Sequence, residues 1–205
     1  MRAGAVGDPA GWSSVATLSA MSLLAGPVLA LAGLLAFSGV QKVAWPEAAA
    51  EAMRAAGIPG TRGSGGQVRG RLLGLVEVAA AVAALVWGSA ATAGALAVVF
   101  AGFALFSWRL LVRTDATASC GCFGQAEAPV TRLHVVLNAV AALVCAAAIV
   151  WPTGDVAAVL GDQPLAGLPF VALTALAGWL WYVMLELIPD LQAALQAVTP
   201  TGDDA

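Results

Sequence analysis

Charge is what this chain has least of. Only 10% of its 205 residues are charged while 60% are hydrophobic, and the mean hydropathy is +0.89. A soluble domain carries about 25% charged residues, because water must solvate most of a small globule's surface. So little charge excludes a soluble enzyme, and so much apolar surface excludes a disordered tail. Cations are scarce as well. Nine Lys and Arg against twelve Asp and Glu leave a formal net charge of -3, which excludes a nucleic-acid binder that must neutralise phosphates. Histidine occurs once and cysteine three times, poor material for a metal site.

What the chain does have is long apolar runs. A membrane helix needs about 20 apolar residues, since the hydrocarbon layer is about 30 Å thick and the helix rises about 1.5 Å per residue. Residues 20–40 qualify and end at Gln41 and Lys42. Residues 72–112 are twice a span's length with a soft centre at Trp87-Gly88-Ser89, which reads as two antiparallel helices joined by a turn near residues 90–94. A fourth span covers residues 133–151. The fifth covers residues 165–188, edged by Pro164 and Pro189, which suit helix ends. The expected fold is an all-α, polytopic membrane bundle: a four-helix core plus a fifth, C-terminal transmembrane helix.

The organisation follows. Residues 1–19 form a polar lead whose only charged groups are Arg2 and Asp8. No small-residue cleavage site precedes a soluble domain, so the first apolar segment is expected to remain as a span. Residues 20–151 form the four-span domain, 152–188 a loop and the fifth span, and 189–205 an acidic tail. Between the first two spans, residues 46–57 read as a short helix with Pro at its start and Gly at its stop; its Ala-rich face with Met53 suits the membrane interface. Residues 60–70 form a Gly/Arg-rich connector, flexible by composition.

Topology follows from the cations. Lys42, Arg54, Arg62, Arg69 and Arg71 lie between spans one and two; Arg109, Arg113 and Arg132 flank the loop between spans three and four. These two loops share one side, and the positive-inside tendency puts it in the cytoplasm.

The strongest local signal is Cys120-Gly121-Cys122-Phe123-Gly124, after the third span. Glycines at 121 and 124 let the backbone turn tightly. A Cys-x-Cys pair closes a small, strained disulfide, and strained disulfides exchange readily. With His134 the only histidine, two thiolates fall short of the four ligands of a structural zinc site, so no metal is expected. Cys145, among alanines and valines, reads as core packing.

Glu77 is the most costly residue, because an ionised carboxylate inside a span must be paired, protonated or solvated. Antiparallel threading brings Lys42, Arg109 and Asn138 to its end of the bundle, the end that also carries the cysteines and Arg113. These residues form a candidate supporting cluster around Cys120 and Cys122. For Lys42 and Arg109 the competing reading is snorkelling; for Glu77 and Asn138 it is a helix–helix hydrogen bond. Trp179, Trp181 and Tyr182, ahead of Glu186, read as an interfacial belt rather than a quinone-stacking site.

The order of these features resembles the MauE family (methylamine-utilisation protein E), a branch of the DoxX-like membrane proteins. The matching pieces are Phe37-Ser38-Gly39-Val40-Gln41-Lys42, Gly57-Ile58-Pro59, Leu75-Val76-Glu77, Ser119-Cys120-Gly121-Cys122-Phe123-Gly124 and Leu137-Asn138-Ala139. They cover about residues 20–151; the fifth span and the Gly/Arg-rich connector depart from the pattern. The resemblance implies a bacterial plasma (inner) membrane accessory protein that matures a disulfide-rich dehydrogenase subunit together with a thioredoxin-like partner. It gives Cys120 and Cys122 a redox role and makes Lys42, Glu77 and Asn138 family positions. That role belongs on the oxidising side of the membrane, whereas the cations put the loop in the cytoplasm.

The leading expectation is a membrane thiol-disulfide relay acting on a thioredoxin-like protein or redox-enzyme subunit, with Arg113 or Arg132 favouring the thiolate. A non-catalytic membrane scaffold for a redox partner is the alternative. A quinone-linked oxidoreductase, with quinone as cofactor, ranks lower because a second cysteine pair is missing.

Overall fold

A backbone crossing hydrocarbon must satisfy its own polar groups, and an apolar run of about 20 residues does so only as a helix. The computed structural model describes residues 9–114, 118–119, 121, 129–161 and 164–198. Their order is α1 (Pro9–Ala44), α2 (Glu47–Ala55), α3 (Ser64–Trp87), α4 (Ala90–Thr114), α5 (Arg132–Val150), α6 (Val156–Gly161), a 3-10 turn (Pro164–Gly167) and α7 (Leu168–Val198). Five helices are long and apolar enough to cross a membrane: α1 over Leu24–Ala44, α3, α4, α5, and α7 over Leu168–Leu185. The expected all-helical, five-span fold is what the chain adopts.

Four of the spans make one core. Leu35 from α1, Ala81 from α3, Leu96 and Phe100 from α4, and Ala141 and Cys145 from α5 are buried together. Cys145 is therefore packing, as its surroundings indicate. The fifth span, α7, lies outside this group and buries Leu185 against Leu34 and Leu137.

Helices α1 and α3 cross at two glycines. A Cβ on Gly74 would stand 2.5 Å from the Gly39 carbonyl oxygen, and one on Gly39 would stand 2.6 Å from that of Gly74. No side chain larger than hydrogen fits at this crossing, and the backbones meet directly.

Several local expectations change. The turn between the second and third spans falls at the soft centre itself, not at residues 90–94. Gly88 takes a left-handed φ of 50° as the cap of α3, and a Cβ there would overlap the Gly154 carbonyl. Ser89 then opens α4 by a reciprocal cap: its Oγ accepts the Thr92 N–H at 3.3 Å and its N–H donates to Thr92 Oγ1 at 3.0 Å.

The Gly-rich connector is also shorter than its composition indicates, because α3 starts at Ser64. Gly66 and Gly70 are buried in its first turns, closing against the carbonyl oxygens of Thr61 and Pro46. The missing side chains serve close packing here, not flexibility. Similarly, the alanine face of α2 is covered by protein: Ala48, Ala49, Ala50, Ala52 and Met53 are all buried. At the far end, α7 continues through Pro189 to Val198. Proline costs one backbone hydrogen bond, which a membrane helix tolerates.

The glycine crossing is testable. Gly74→Ala is expected to lower stability by about 1–3 kcal/mol through overpacking. Gly33→Ala, whose new Cβ meets nothing within 4 Å, should be neutral or slightly stabilising by helix propensity. Thermal unfolding of the detergent-solubilised variants measures the contrast.

Candidate functional site

The site grows from the α1–α3 crossing. Ser38 and Lys42 are four residues apart on α1, hence on one helix face, and Glu77 lies three residues beyond Gly74 on α3. With the backbones in contact, these side chains have no room between them for water. Lys42 Nζ stands 3.0 Å from Glu77 Oε2, with side-chain exposures of 3% and 0%. The Ser38 hydroxyl donates to the same oxygen at 2.8 Å, and Lys42 Nζ donates to Ser38 Oγ. The ammonium also lies 5.2 Å from the centre of the Phe103 ring on α4, a cation–π distance. Lys42 thus turns inward and does not snorkel. Glu77 Oε1, buried as well, has no hydrogen-bond partner among the described residues.

The other members of the expected cluster go elsewhere. Arg109 Nε donates to the Ala56 carbonyl at 2.8 Å, and the Arg113 guanidinium lies against Gly57, whose φ is +70°. Both arginines therefore lie at the C-terminal end of α2, where the helix dipole favours cations and Arg109 satisfies a carbonyl that lacks a helical partner. Asn138 Nδ2 donates to the His134 carbonyl at 2.8 Å within its own helix.

His134 is a buried polar residue that composition alone dismissed. Its Nδ1 accepts the Thr131 backbone N–H at 3.2 Å, the third-position half of a cap on α5. That bond assigns the proton to Nε2, which finds no hydrogen-bond partner among the described residues. The Thr131-x-x-His134 spacing was the available signal, as the Ser38-x-x-x-Lys42 spacing was for Ser38. Among the described residues, no three His, Cys, Asp or Glu side chains group as metal ligands.

Cys120 and Cys122 lie outside the described residues. Gly121 between them is described, and it is buried with φ +63°. A Cβ at Gly121 would stand 2.7 Å from the Ala48 carbonyl oxygen of α2, and its N–H donates to Ser119 Oγ at 3.2 Å. Gly121 and Lys42 both line a cavity of about 340 Å³, with Met53, Ile58, Phe103 and Phe106 among its other walls. Val130, ahead of α5, packs with Ala52, Ala56 and Leu110. The two basic loops therefore meet at one end of the bundle, as the threading requires.

Fold and site define a multi-pass, α-helical membrane protein with an ion pair buried at the loop end of a four-helix core. The model of the family described as methylamine utilisation protein MauE matches residues 16–152, which spans α2 to α5 and most of α1. The chain belongs to this family and is a MauE-like membrane accessory protein. No curated protein and no solved structure matches it.

Removing one member of a buried pair leaves the other charge uncompensated. Glu77→Leu or Lys42→Met alone should therefore cost about 3–5 kcal/mol, while the double variant should recover most of the loss. Thermal unfolding of the three variants checks this, and a double loss equal to the sum of the singles would show the two side chains to be uncoupled.

Proposed function

We propose that the protein is a thiol-redox accessory of the bacterial plasma (inner) membrane. It exchanges a disulfide with a thioredoxin-like protein or a redox-enzyme subunit while that partner matures. The observation that carries this reading is the seating of Gly121. The residue between the two cysteines is fixed against α2 in a left-handed conformation and shares a cavity wall with Lys42. Such a fixed hinge favours a reactive pair, because a disulfide across one intervening residue is strained and so exchanges easily.

The exchange runs in two displacements. One cysteine thiolate of the pair attacks a sulfur of the partner's disulfide, forming a mixed disulfide and expelling the partner's second sulfur as thiolate. The neighbouring cysteine then displaces the first partner sulfur. The products are a Cys120–Cys122 disulfide and a partner dithiol; run in reverse, the same steps oxidise the partner. The family's description, methylamine utilisation, is compatible with the methylamine dehydrogenase-type subunit that the resemblance implies, and that subunit is the first partner to test.

A Cys122→Ser variant is expected to hold its partner as a mixed disulfide on a non-reducing gel, and Cys120→Ser/Cys122→Ser to fail in complementing a deletion strain. Full complementation by the double variant would leave a scaffold role instead. Labelling of the cysteines in intact cells by a membrane-impermeant thiol reagent would place the loop on the oxidising side and reverse the orientation read from the cations.

A further inference from the structure

The first two turns of α3 carry arginines that the ion-pair site does not use. At about 100° of turn per residue, Val68, Leu72, Leu75 and Val76 fall on one face, opposite the buried Gly66, Gly70, Gly74 and Glu77. All four are more than half exposed, and in a membrane that face meets lipid. Arg69 and Arg71, both exposed, lie at its two edges. Helical side chains lean towards the helix N-terminus, which for α3 is the loop end. Arg69 follows the rule: its guanidinium reaches back to donate to the Pro59 carbonyl and lies against Gly60. The exposed Arg62 comes two residues after Gly60, just ahead of α3.

The neighbouring helix marks the depth of these arginines. Gly70 packs on Pro46, so Trp45, more than half exposed just past the end of α1, stands level with Arg69 and Arg71. An exposed tryptophan at the end of a span marks the headgroup layer. The positive charge there is unmatched. Among the described residues neither Arg62 nor Arg71 has a hydrogen bond or ion pair, and Arg69 commits one of five guanidinium donors to Pro59. The Glu47 carboxylate accepts from Gln67, one turn before Arg71, at 3.4 Å, and makes no ion pair among the described residues. Helix α2, which seats Gly121, packs on the opposite side of α3 at Gly66 and Gly70, so this face is separate from the cysteine loop.

We infer that this face of α3 binds an anionic phospholipid of the surrounding bilayer, with the phosphate held by Arg62, Arg69 and Arg71 and an acyl chain lying along Val68, Leu72 and Leu75. Charge complementarity selects the headgroup. A zwitterionic lipid brings its own ammonium group up to three cations, whereas a phosphatidylglycerol-type lipid brings only negative charge. Each basic residue near a membrane surface favours an anionic lipid by about fivefold, and the planar guanidinium fork matches phosphate oxygens two at a time. The apolar face selects a lipid over a soluble phosphate, because the exposed valines and leucines continue directly below the arginines into the hydrocarbon.

The test uses the full chain in detergent micelles, titrated with radiolabelled phosphatidylglycerol and, separately, with phosphatidylcholine of the same acyl chains. Saturable binding of phosphatidylglycerol is expected, at least about fivefold tighter than phosphatidylcholine and weakened by added salt. Arg71→Gln and Arg62→Gln should each weaken it about fivefold, while Arg71→Lys, which keeps the charge, should retain most of the affinity. Arg132→Gln, which removes an exposed cation at the same end of the bundle but on α5, should leave affinity within about twofold. Equal binding of the two lipids overturns the inference and leaves the arginines to an acidic protein partner. An equal loss in Arg132→Gln overturns it as well, since diffuse charge and not a site would then account for the preference. Displacement of the lipid by soluble glycerol 3-phosphate would assign the arginines to a free phosphate instead. None of these readouts involves the cysteines, so a negative result here leaves the disulfide exchange standing, and the converse holds.

Discussion

The contact between the Gly39 and Gly74 backbones is the constraint on which the rest of the site depends. Lipid tails are as apolar as leucine, so burying apolar surface gives transmembrane helices little reason to choose one neighbour over another. Choice comes from close backbone approach and from polar groups that lack any other partner. Both occur at the α1–α3 crossing. Glycines bring the backbones together, and Ser38 and Lys42 then both pair with Glu77 Oε2 in a buried setting. A wider crossing would separate the charges, and each would then need a proton, a water or a lipid headgroup.

The second organising element is α2. It is too short to cross the bilayer, but its alanine face lies against α3 and α4, the Ala56 carbonyl at its C-terminal cap accepts from Arg109 of α4, and the Arg113 guanidinium packs against the Gly57 turn that follows. Two exposed arginines thus act as ties for a loop helix, and the loop helix in turn provides the seat for Gly121. The path from ion pair to cysteine loop runs through packed backbone: α1 to α3 at the glycine crossing, α3 to α2 at Gly66 and Gly70, and α2 to Gly121 at Ala48.

How much of this was legible in the sequence differs by kind of interaction. The five spans were legible because hydropathy sums over about 20 residues, and a local error scarcely changes the total. The approach of Lys42 and Glu77 was legible in part, since antiparallel threading places both near one end, although the pairing itself depends on a crossing between distant residues. Glycine was read wrongly at 60–70. Outside a fold glycine loosens the chain, whereas against a neighbouring carbonyl it is the residue that permits contact. The arginines were misplaced for a related reason: sequence gives their depth, but not the carbonyls of Ala56 and the Gly57 turn that compete for them. Asn138 had a partner four residues away in its own helix, and a local hydrogen bond is reached before any long-range one.

The division between core and fifth helix bears on what the family relationship describes. The matched segment ends at residue 152, and every described residue of the ion pair, the α2 seat and the cavity lies within it. Helix α7 adds Leu185 at the edge of α1 and α5 and otherwise leaves wide apolar clefts along α1. A helix that buries so little of itself contributes little to positioning Lys42 and Glu77, whose geometry is fixed by α1, α3 and α4. The chemistry at the loop end is therefore a property of the four-helix core, and α7 bears on the core through α5 and the stretch of α1 from Gly26 to Phe37 rather than through the site.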